Sequence, residues 1–489
     1  MSLRWLFDSF KSNVTVQPSA INVKVNDEDF VVVPAEEFNI EQEFELIEPH
    51  PAYSQPIEKL KYEKSDPGLR NSSHKVVKGI DSTNDTENFI KFNDKEAMLY
   101  AEAFMNHLYS LSLLYGVGRC YVCYDDYGKP VALRSKAIPG FATFKEHKLT
   151  AEQLSNPAYR HRFIRILAVM FRMHEDDAHS GNITTNLQVF DADCAFWDAT
   201  FKIKGGRPNV DNLGTLLSRN PETAFALHED DITHFPNITY ALPWYFPSLD
   251  AVATSYFSNN PFTPEETRLV KELEKHPETL QICLVEFLDW MLDLSQRFPY
   301  LIGLTIPKNC SYQGENLTEL YCKKNRDINE EYWKILPKIP QFHDFFKKSC
   351  LTITQELMVR CEIRNRRLAN DKKIHPGHDN EFEQAMLDTH LIIKQINELI
   401  GMINSQQILA FSCYASHSIF VSGRSTAIDE IDEQTAKRMR ETAKRVADEM
   451  MISEASHGID SWEIFGYKRE IDASGETINK TDRFISTLS

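Results

Sequence analysis

The clearest periodic pattern in the chain lies between residues 158 and 171, where apolar side chains recur at i, i+3, i+4, i+7 and i+8. This spacing places them on one face and predicts an amphipathic helix with a buried side. The residues of that face are Phe163, Ile166, Leu167, Met170 and Phe171. The pattern ends in the polar stretch D-A-H-S-G-N at 177–182, which predicts a loop after the helix.

Two short β-prone runs, at 183–185 and 187–190, follow this loop and are separated by Asn186, a residue that favours turns. They predict a small hairpin that leads into Asp191. Because a hairpin folds the chain back on itself, we expect Asn182 and Asp191 to lie close together although they are nine positions apart.

Upstream of the helix the pattern is typical of strands, with runs at 75–80, 88–92, 121–124 and 131–138. One helical pattern, with Asn93 as its expected cap and its end at about Tyr115, separates the second run from the third. Downstream, helical patterns dominate, at about 264–275, 277–297, 352–368, 381–415 and 432–451. This order predicts an α+β fold with a small strand-rich part and a larger helical one.

Glu102 falls on the apolar side of the helix predicted after Asn93, between Met98 and Met105. A carboxylate held there costs free energy unless a cation pairs with it. Lys91 lies in the second strand run, just upstream of the helix. The sequence therefore predicts an ion pair between Lys91 and Glu102.

Asp177, Asn182 and Asp191 carry hard oxygen atoms, which are the ligands that Mg²⁺ and Mn²⁺ prefer. D-A-H-S-G-N followed by V-F-D-A-D resembles the catalytic and metal-binding loops of the protein-kinase-like superfamily. The resemblance is nearest to the branch that contains phosphatidylinositol kinases, aminoglycoside phosphotransferases and atypical, secreted bacterial effector kinases. It covers about residues 74–300 and implies a bilobal fold that transfers the γ-phosphoryl group of ATP to a hydroxyl group.

In the loop and hairpin, the resemblance assigns Asp177 as the catalytic base and His179 as the organiser of its loop. It assigns Asn182 and Asp191, with help from Asp193, as ligands of Mg²⁺ or Mn²⁺. The sequence departs from the family pattern after Asp191, because Ala and Asp follow it in place of Phe and Gly.

In the strand-rich part, the resemblance assigns Lys91, supported by Glu102, as the lysine that contacts the ATP phosphates. The phosphate-binding stretch keeps one glycine, Gly79, where three are usual. The hydroxyl groups of Ser82 and Thr83 are the expected substitutes for the missing backbone contacts with the nucleotide.

Pattern and resemblance together divide the chain into four parts. These are an N-terminal extension at 1–73, a kinase-like N-lobe at 74–140, a kinase-like C-lobe at 141–345 and a C-terminal helical region at 346–489.

The composition is that of a globular chain of 489 residues with 42% hydrophobic side chains. A net charge of −17 argues against nucleic-acid binding. Nine scattered cysteines are typical of reduced thiols in a cytosol.

No apolar run reaches the ~20 residues of a membrane-spanning helix, and no signal-peptide pattern opens the chain. We expect a cytosolic protein, and the resemblance to secreted effector kinases implies delivery into a host cell without a cleavable signal peptide.

Against this acidic background, basic residues gather in one stretch, and three of them, Arg360, Arg364 and Arg367, share a helix face. With them we group Lys347, Lys348, Lys372 and Lys373. One interpretation is a solvated helix face with ion pairs along it. The other is a pocket for an inositol polyphosphate or a phosphoinositide headgroup, because guanidinium groups match phosphate geometry. Such a ligand would switch the kinase on by preferring its competent state.

The helix predicted at 432–451 also has a basic face, and the loop at 416–426 carries Phe420. Together they suggest contact with an anionic membrane, which would make the protein peripheral. An ordinary helical bundle with a charged outer face is the alternative.

The acceptor is open, with a protein hydroxyl as the first expectation and a phosphoinositide as the second. A catalytically dead pseudokinase that serves as a membrane-binding or partner-binding scaffold is the alternative of another class. The missing glycines and the altered residues after Asp191 favour the scaffold, whereas the complete set Asp177, Asn182 and Asp191 favours the enzyme.

Overall fold

The computed structural model describes residues 50–57, 60–62, 75–81, 87–114, 120–138, 141–144, 146–175, 181–192, 195–196, 199–200, 227, 229–236, 264–404, 430–457, 470–471 and 477–478. A six-stranded sheet precedes a larger helical region in this part of the chain, so the predicted α+β fold is confirmed. None of the helices within these ranges has an apolar stretch long enough to cross a membrane.

The sheet has the strand order β1-β5-β6-β4-β3-β2. Its strands are β1 (Ser54–Pro56), β2 (Leu60–Tyr62), β3 (Lys75–Asp81), β4 (Glu87–Phe92), β5 (Cys120–Tyr124) and β6 (Pro130–Lys136). Neighbours are antiparallel except β1, which runs parallel to β5. Because β1 and β2 fall within the predicted N-terminal extension, the sheet begins earlier than the predicted boundary at residue 74.

Helix α1 (Glu96–Leu113) packs on one face of this sheet. The strand register places Lys91 opposite Leu133, and Leu133 opposite Val122. Leu133 and Val122 belong to the buried cluster that also contains the core residues of α1. Directly opposed residues share a sheet face, so Lys91 projects from the face that α1 covers.

The remaining helices are α2 (Ala151–Ser155), α3 (Pro157–Arg172), α4 (Glu229–Thr233), α5 (Pro264–Glu272), α6 (Pro277–Asp289), α7 (Ser295–Leu301), α8 (Leu317–Ile335), α9 (Pro340–Ile374), α10 (Asp379–Ala385), α11 (Thr389–Asn404) and α12 (Glu433–His457). A π-helical turn, Trp290–Leu294, connects α6 to α7. Two minor hairpins pair β7 (Ser311–Tyr312) with β8 (Glu315–Asn316) and β9 (Glu470–Ile471) with β10 (Thr477–Ile478).

Helix α3 is the helix that the apolar pattern at 158–171 predicts. It begins after Asn156, whose side-chain oxygen accepts hydrogen bonds from the backbone N–H groups of Ala158 and Tyr159, and proline at the first helical position favours this start. Every residue from Phe163 to Arg172 is buried. The prediction of a single buried face is therefore too narrow for the second half of the helix.

Helix α9 is 35 residues long, which corresponds to about 52 Å at the rise of an α-helix. It packs against α10, α11 and α12 and also contacts α6. The helix predicted at 352–368 is its central part. Through its length, α9 joins the C-terminal helices to the region around α1.

Candidate functional site

Lys91 lies at the centre of the candidate site, on the face of the sheet that α1 covers. Its Nζ atom is 3.0 Å from Oε2 of Glu102 and 2.6 Å from Oδ1 of Asp191. The Lys91 side chain is 14% exposed and that of Glu102 is 5% exposed. The predicted ion pair between Lys91 and Glu102 is confirmed. The second contact, with Asp191, is a finding of the structure.

The hairpin predicted after the polar loop is present. Ile183 and Val189 form an antiparallel bridge, and the N–H of Phe190 donates to the carbonyl oxygen of Asn182 at 3.2 Å. Asp191 is the next residue after Phe190, so the hairpin brings Asn182 and Asp191 together as the sequence predicts.

This hairpin is fastened to the segment that follows the sheet. Phe144 N–H donates to the Ile183 carbonyl at 3.1 Å, and Thr185 N–H donates to the Ala142 carbonyl at 2.8 Å. Ile183 is fully buried. The backbone on which the two predicted metal ligands sit is therefore held by hydrogen bonds and by the core.

Asn182 and Asp191 present different environments to a ligand. Asn182 is buried, whereas the side chain of Asp191 is 39% exposed. Asp191 has a φ of +58°, a left-handed conformation that aspartate tolerates better than most residues. The Asn182 amide oxygen and the accessible Asp191 carboxylate are both hard oxygen donors of the kind that Mg²⁺ and Mn²⁺ prefer.

Five predicted site residues lie outside the described residues: Ser82, Thr83, Asp177, His179 and Asp193. Their roles stay predictions. Within the described ranges, no cluster of three or more His, Cys, Asp or Glu side chains forms a metal site by itself. The two predicted metal ligands that can be placed are Asn182 and Asp191.

Helix α1 also contacts the segment that leads into the predicted catalytic loop. The hydroxyl group of Tyr109 donates to Oε2 of Glu175 at 3.0 Å, and both side chains are buried. Glu175 lies two positions before Asp177. Helix α1 thus provides Glu102, which pairs with Lys91, and also Tyr109, which binds Glu175 shortly before the predicted catalytic loop.

The predicted polyphosphate pocket is wrong for two of its arginines. Arg360 is 2% exposed and Arg364 is 0% exposed. Arg360 pairs with Asp289 at 3.1 Å, and Arg364 pairs with Asp289 and Asp293, both at 2.5 Å. Buried guanidinium groups need such partners, and these contacts place both arginines inside the core.

The other members of the predicted patch do not converge either. All seven lie on α9, where Lys347 and Lys373 are separated by about 39 Å along the helix axis. Lys372 pairs with Glu383 at 2.5 Å and with Asp379 at 3.4 Å. The seven residues are therefore spread along one helix and do not gather around one compact ligand.

The buried arginines of α9 belong to a charged network between helices. Arg165 of α3 pairs with Glu286 of α6 at 2.6 Å, and Arg297 of α7 pairs with Asp293. Arg172 lies over the Trp290 ring at 4.0 Å from its centroid. The sequence does contain a signal for this network, namely the acids Glu286, Asp289 and Asp293 in an otherwise apolar stretch. Because buried carboxylates need cations as partners, these acids indicate basic residues from other helices.

Stability at acid pH is expected to depend on Asp289. Burial alone would raise the pKa of Asp289, but the guanidinium groups of Arg364 and Arg360 hold its pKa below the usual value. A carboxylate with a lowered pKa stabilises the fold above its unfolded pKa of about 3.9 and loses that contribution as the pH falls toward its folded pKa.

We therefore expect the difference in unfolding free energy between wild type and Asp289→Asn to be largest near neutral pH and to shrink below about pH 4. Urea unfolding of both proteins between pH 7 and pH 2 measures this difference. A difference that stayed constant over that range would show that Asp289 titrates alike in the folded and unfolded chain.

No protein-family model matches the chain, and no curated protein is similar to it in sequence. Function is therefore inferred from the chemistry of the residues around Lys91.

Proposed function

We propose that this protein is an atypical ATP- and metal-dependent kinase with a bilobal, protein-kinase-like fold. It transfers the γ-phosphoryl group to a hydroxyl group, with a protein as the first acceptor class and a phosphoinositide as the second. The observation that supports this most is the position of Lys91 between Glu102 and Asp191, at 3.0 Å and 2.6 Å.

Kinase chemistry needs a lysine held by a helix glutamate and an aspartate that binds metal, both in place at once. Glu102 fixes the Lys91 ammonium group from the α1 side, and Asp191 approaches it from the hairpin side. The Lys91 ammonium group and the carboxylates of Glu102 and Asp191 thus come from three separate elements, namely β4, α1 and the hairpin, and meet at one point. Such preorganised charge is the main means by which phosphoryl transfer is catalysed.

The charges of the site suit a cation-assisted reaction. One ammonium group and two carboxylates leave the Lys91 cluster with a net negative charge, so it does not hold a triphosphate unaided. A bound Mg²⁺ or Mn²⁺ would supply the positive charge that the phosphate groups of ATP require. Asn182 and Asp191 would hold that ion, and Asp177 would orient the acceptor hydroxyl and accept its proton.

A pseudokinase scaffold is the second candidate, and one contact favours it. Oδ1 of Asp191, the predicted metal ligand, receives a hydrogen bond from Lys91 at 2.6 Å. If this pair persisted in the presence of nucleotide, Asp191 would act as a structural partner of Lys91 and metal binding would be weak.

Phosphoryl transfer by wild type separates the two candidates, and Asp191→Asn tests the role of Asp191 because it preserves the shape of the side chain and removes its charge. We expect wild type to transfer label from γ-labelled ATP in the presence of Mg²⁺ or Mn²⁺ and to stop when EDTA is added. Asp191→Asn is expected to be slower by about 10²- to 10³-fold. Wild type that binds ATP with metal but transfers no label would favour the scaffold.

A further inference from the structure

The C-terminal end of α1 is buried, and this creates a demand for hydrogen-bond donors. The last four carbonyl groups of a helix have no partners within it. Leu111, Ser112, Leu113 and Leu114 are all buried, and the last turn of α1 carries no basic residue. The N–H of Leu114 donates to the Ser110 carbonyl oxygen at 3.0 Å, and side chains of other helices donate to further carbonyl groups at this end.

Two arginines of α9 supply such donors. Nε of Arg364 donates to the carbonyl oxygen of Leu111 at 2.8 Å. Arg367 donates through Nη2 to Leu114 at 2.5 Å and through Nη1 to Ser110 at 3.3 Å. Positive charge at the C-terminal end of a helix also interacts favourably with the helix dipole. These two side chains therefore bind α1 at the end farthest from its first turn.

Helix α3 adds a third donor. Nη2 of Arg165 donates to the carbonyl oxygen of Ser112 at 2.9 Å, and Arg172 donates to the Ser112 hydroxyl at 3.2 Å. Arg165 is itself held by Glu286, just as Arg364 is held by Asp289. Arg165 and Arg364 are thus fixed by the buried network, and they hold the end of α1 in turn.

The anchored end is close to the candidate site along the helix. Glu102 lies two turns before Ser110, or about 12 Å along the axis. A shift of α1 at its anchored end would move the Glu102 carboxylate relative to Lys91, whose strand belongs to the sheet and not to the helix.

We infer that Arg367, with Arg364 behind it, is a positioning residue that keeps Glu102 in contact with Lys91. This inference rests on the proposed kinase function. It gives the C-terminal helical region a role in catalysis, because Arg364 and Arg367 belong to that region and donate hydrogen bonds to the C-terminal end of α1.

Arg367 is the residue to test, because it is only partly buried, whereas removing Arg364 would leave Asp289 and Asp293 short of a buried cation. The variants are Arg367→Ala and the conservative Arg367→Lys. Arg366→Ala is the matched control, since Arg366 is the neighbour on the same helix, is 37% exposed, and pairs with Asp448 of α12 at 2.8 Å.

We expect Arg367→Ala to lower kcat/KM for ATP by about 10- to 100-fold, as a small misplacement of a catalytic group does. Arg367→Lys restores part of the rate, and Arg366→Ala keeps the wild-type rate. A purely structural role would lower the melting temperature and the amount of active protein without altering the rate per folded molecule.

The same substitution in a Glu102→Gln background tests the route of the effect. If Arg367 acts through Glu102, Arg367→Ala has little further effect once Glu102 has lost its charge. Unchanged kcat/KM in Arg367→Ala, or an equal fold-loss in both backgrounds, overturns the inference while leaving the kinase function standing.

If wild type transfers no phosphoryl group, the proposed function fails. Amide hydrogen exchange along α1 then tests separately whether Arg367 anchors the helix. Faster exchange at 107–113 in Arg367→Ala than in Arg366→Ala supports the anchor. Equal exchange in the two variants overturns it.

Discussion

Replacing Lys91 by methionine is expected to lower phosphoryl transfer by about 10³-fold, the largest effect on activity of any single substitution outside Asp177 and Asp191. Methionine keeps an unbranched side chain but removes the ammonium group that lies between Glu102 and Asp191. No other cation is in contact with both carboxylates among the ion pairs of the described residues. Initial rates with γ-labelled ATP and saturating metal measure the loss.

Lys78→Met is the matched control for this substitution. Lys78 lies in the same sheet and forms an ion pair with Glu87 at 2.6 Å, on the more exposed part of the sheet. Exposed ion pairs contribute less than about 1 kcal/mol to the stability of a fold. We therefore expect the Lys78→Met protein to fold as wild type does and to keep the wild-type activity. Thermal melting of both variants is measured alongside, because Glu102 loses its buried partner in Lys91→Met. Equal rates in Lys91→Met and wild type would remove Lys91 from the mechanism.

Asp289→Asn is expected to destabilise the fold by about 3–5 kcal/mol, because it removes the charge that compensates buried cations. Asp289 accepts from Nη1 of Arg360 at 3.1 Å and from Nη1 and Nη2 of Arg364 at 2.7 Å and 2.5 Å. The substitution keeps the volume of the side chain, so the loss reflects charge and not a cavity. Urea unfolding at pH 7 gives the change in free energy.

Asp448→Asn provides the comparison, since Asp448 pairs with Arg366 at the surface at 2.8 Å. We expect it to change the unfolding free energy by less than about 1 kcal/mol. If Asp289→Asn were no more harmful than Asp448→Asn, the buried network would not be a major source of stability.

The pair Lys91–Glu102 was predictable because it follows from local patterns. The strand run fixes where Lys91 lies, and helical spacing puts Glu102 on the apolar face between Met98 and Met105. The hairpin that joins Asn182 to Asp191 was predictable for the same reason, because β-prone runs flank a turn residue. These features depend on residues close together in the chain.

The place of Arg360 and Arg364 was not predictable from spacing alone. Helical periodicity shows that they share a face, but not whether that face meets solvent or the core. Their partners Asp289 and Asp293 lie far away in the sequence. Asp293, for example, precedes Arg364 by 71 positions. Charge density therefore suggested an external phosphate ligand where the fold provides internal carboxylates.

The first two strands were missed because short strands carry little signal. β1 and β2 are three residues each, too short for an alternating pattern to emerge. The contact between Lys91 and Asp191 was missed because it joins residues 100 positions apart, and only the packing of the hairpin against the sheet brings them together.

The most direct test follows the γ-phosphoryl group of labelled ATP in the presence of Mg²⁺ or Mn²⁺, with a cytosolic protein extract in one arm and phosphoinositide vesicles in the other. The proposed function predicts that wild type places label on protein hydroxyl groups as phosphate ester, and that Asp191→Asn does not. Label on the lipid alone would identify the second acceptor class. Metal-dependent ATP binding with all label remaining in ATP in both arms would contradict a kinase and leave the scaffold.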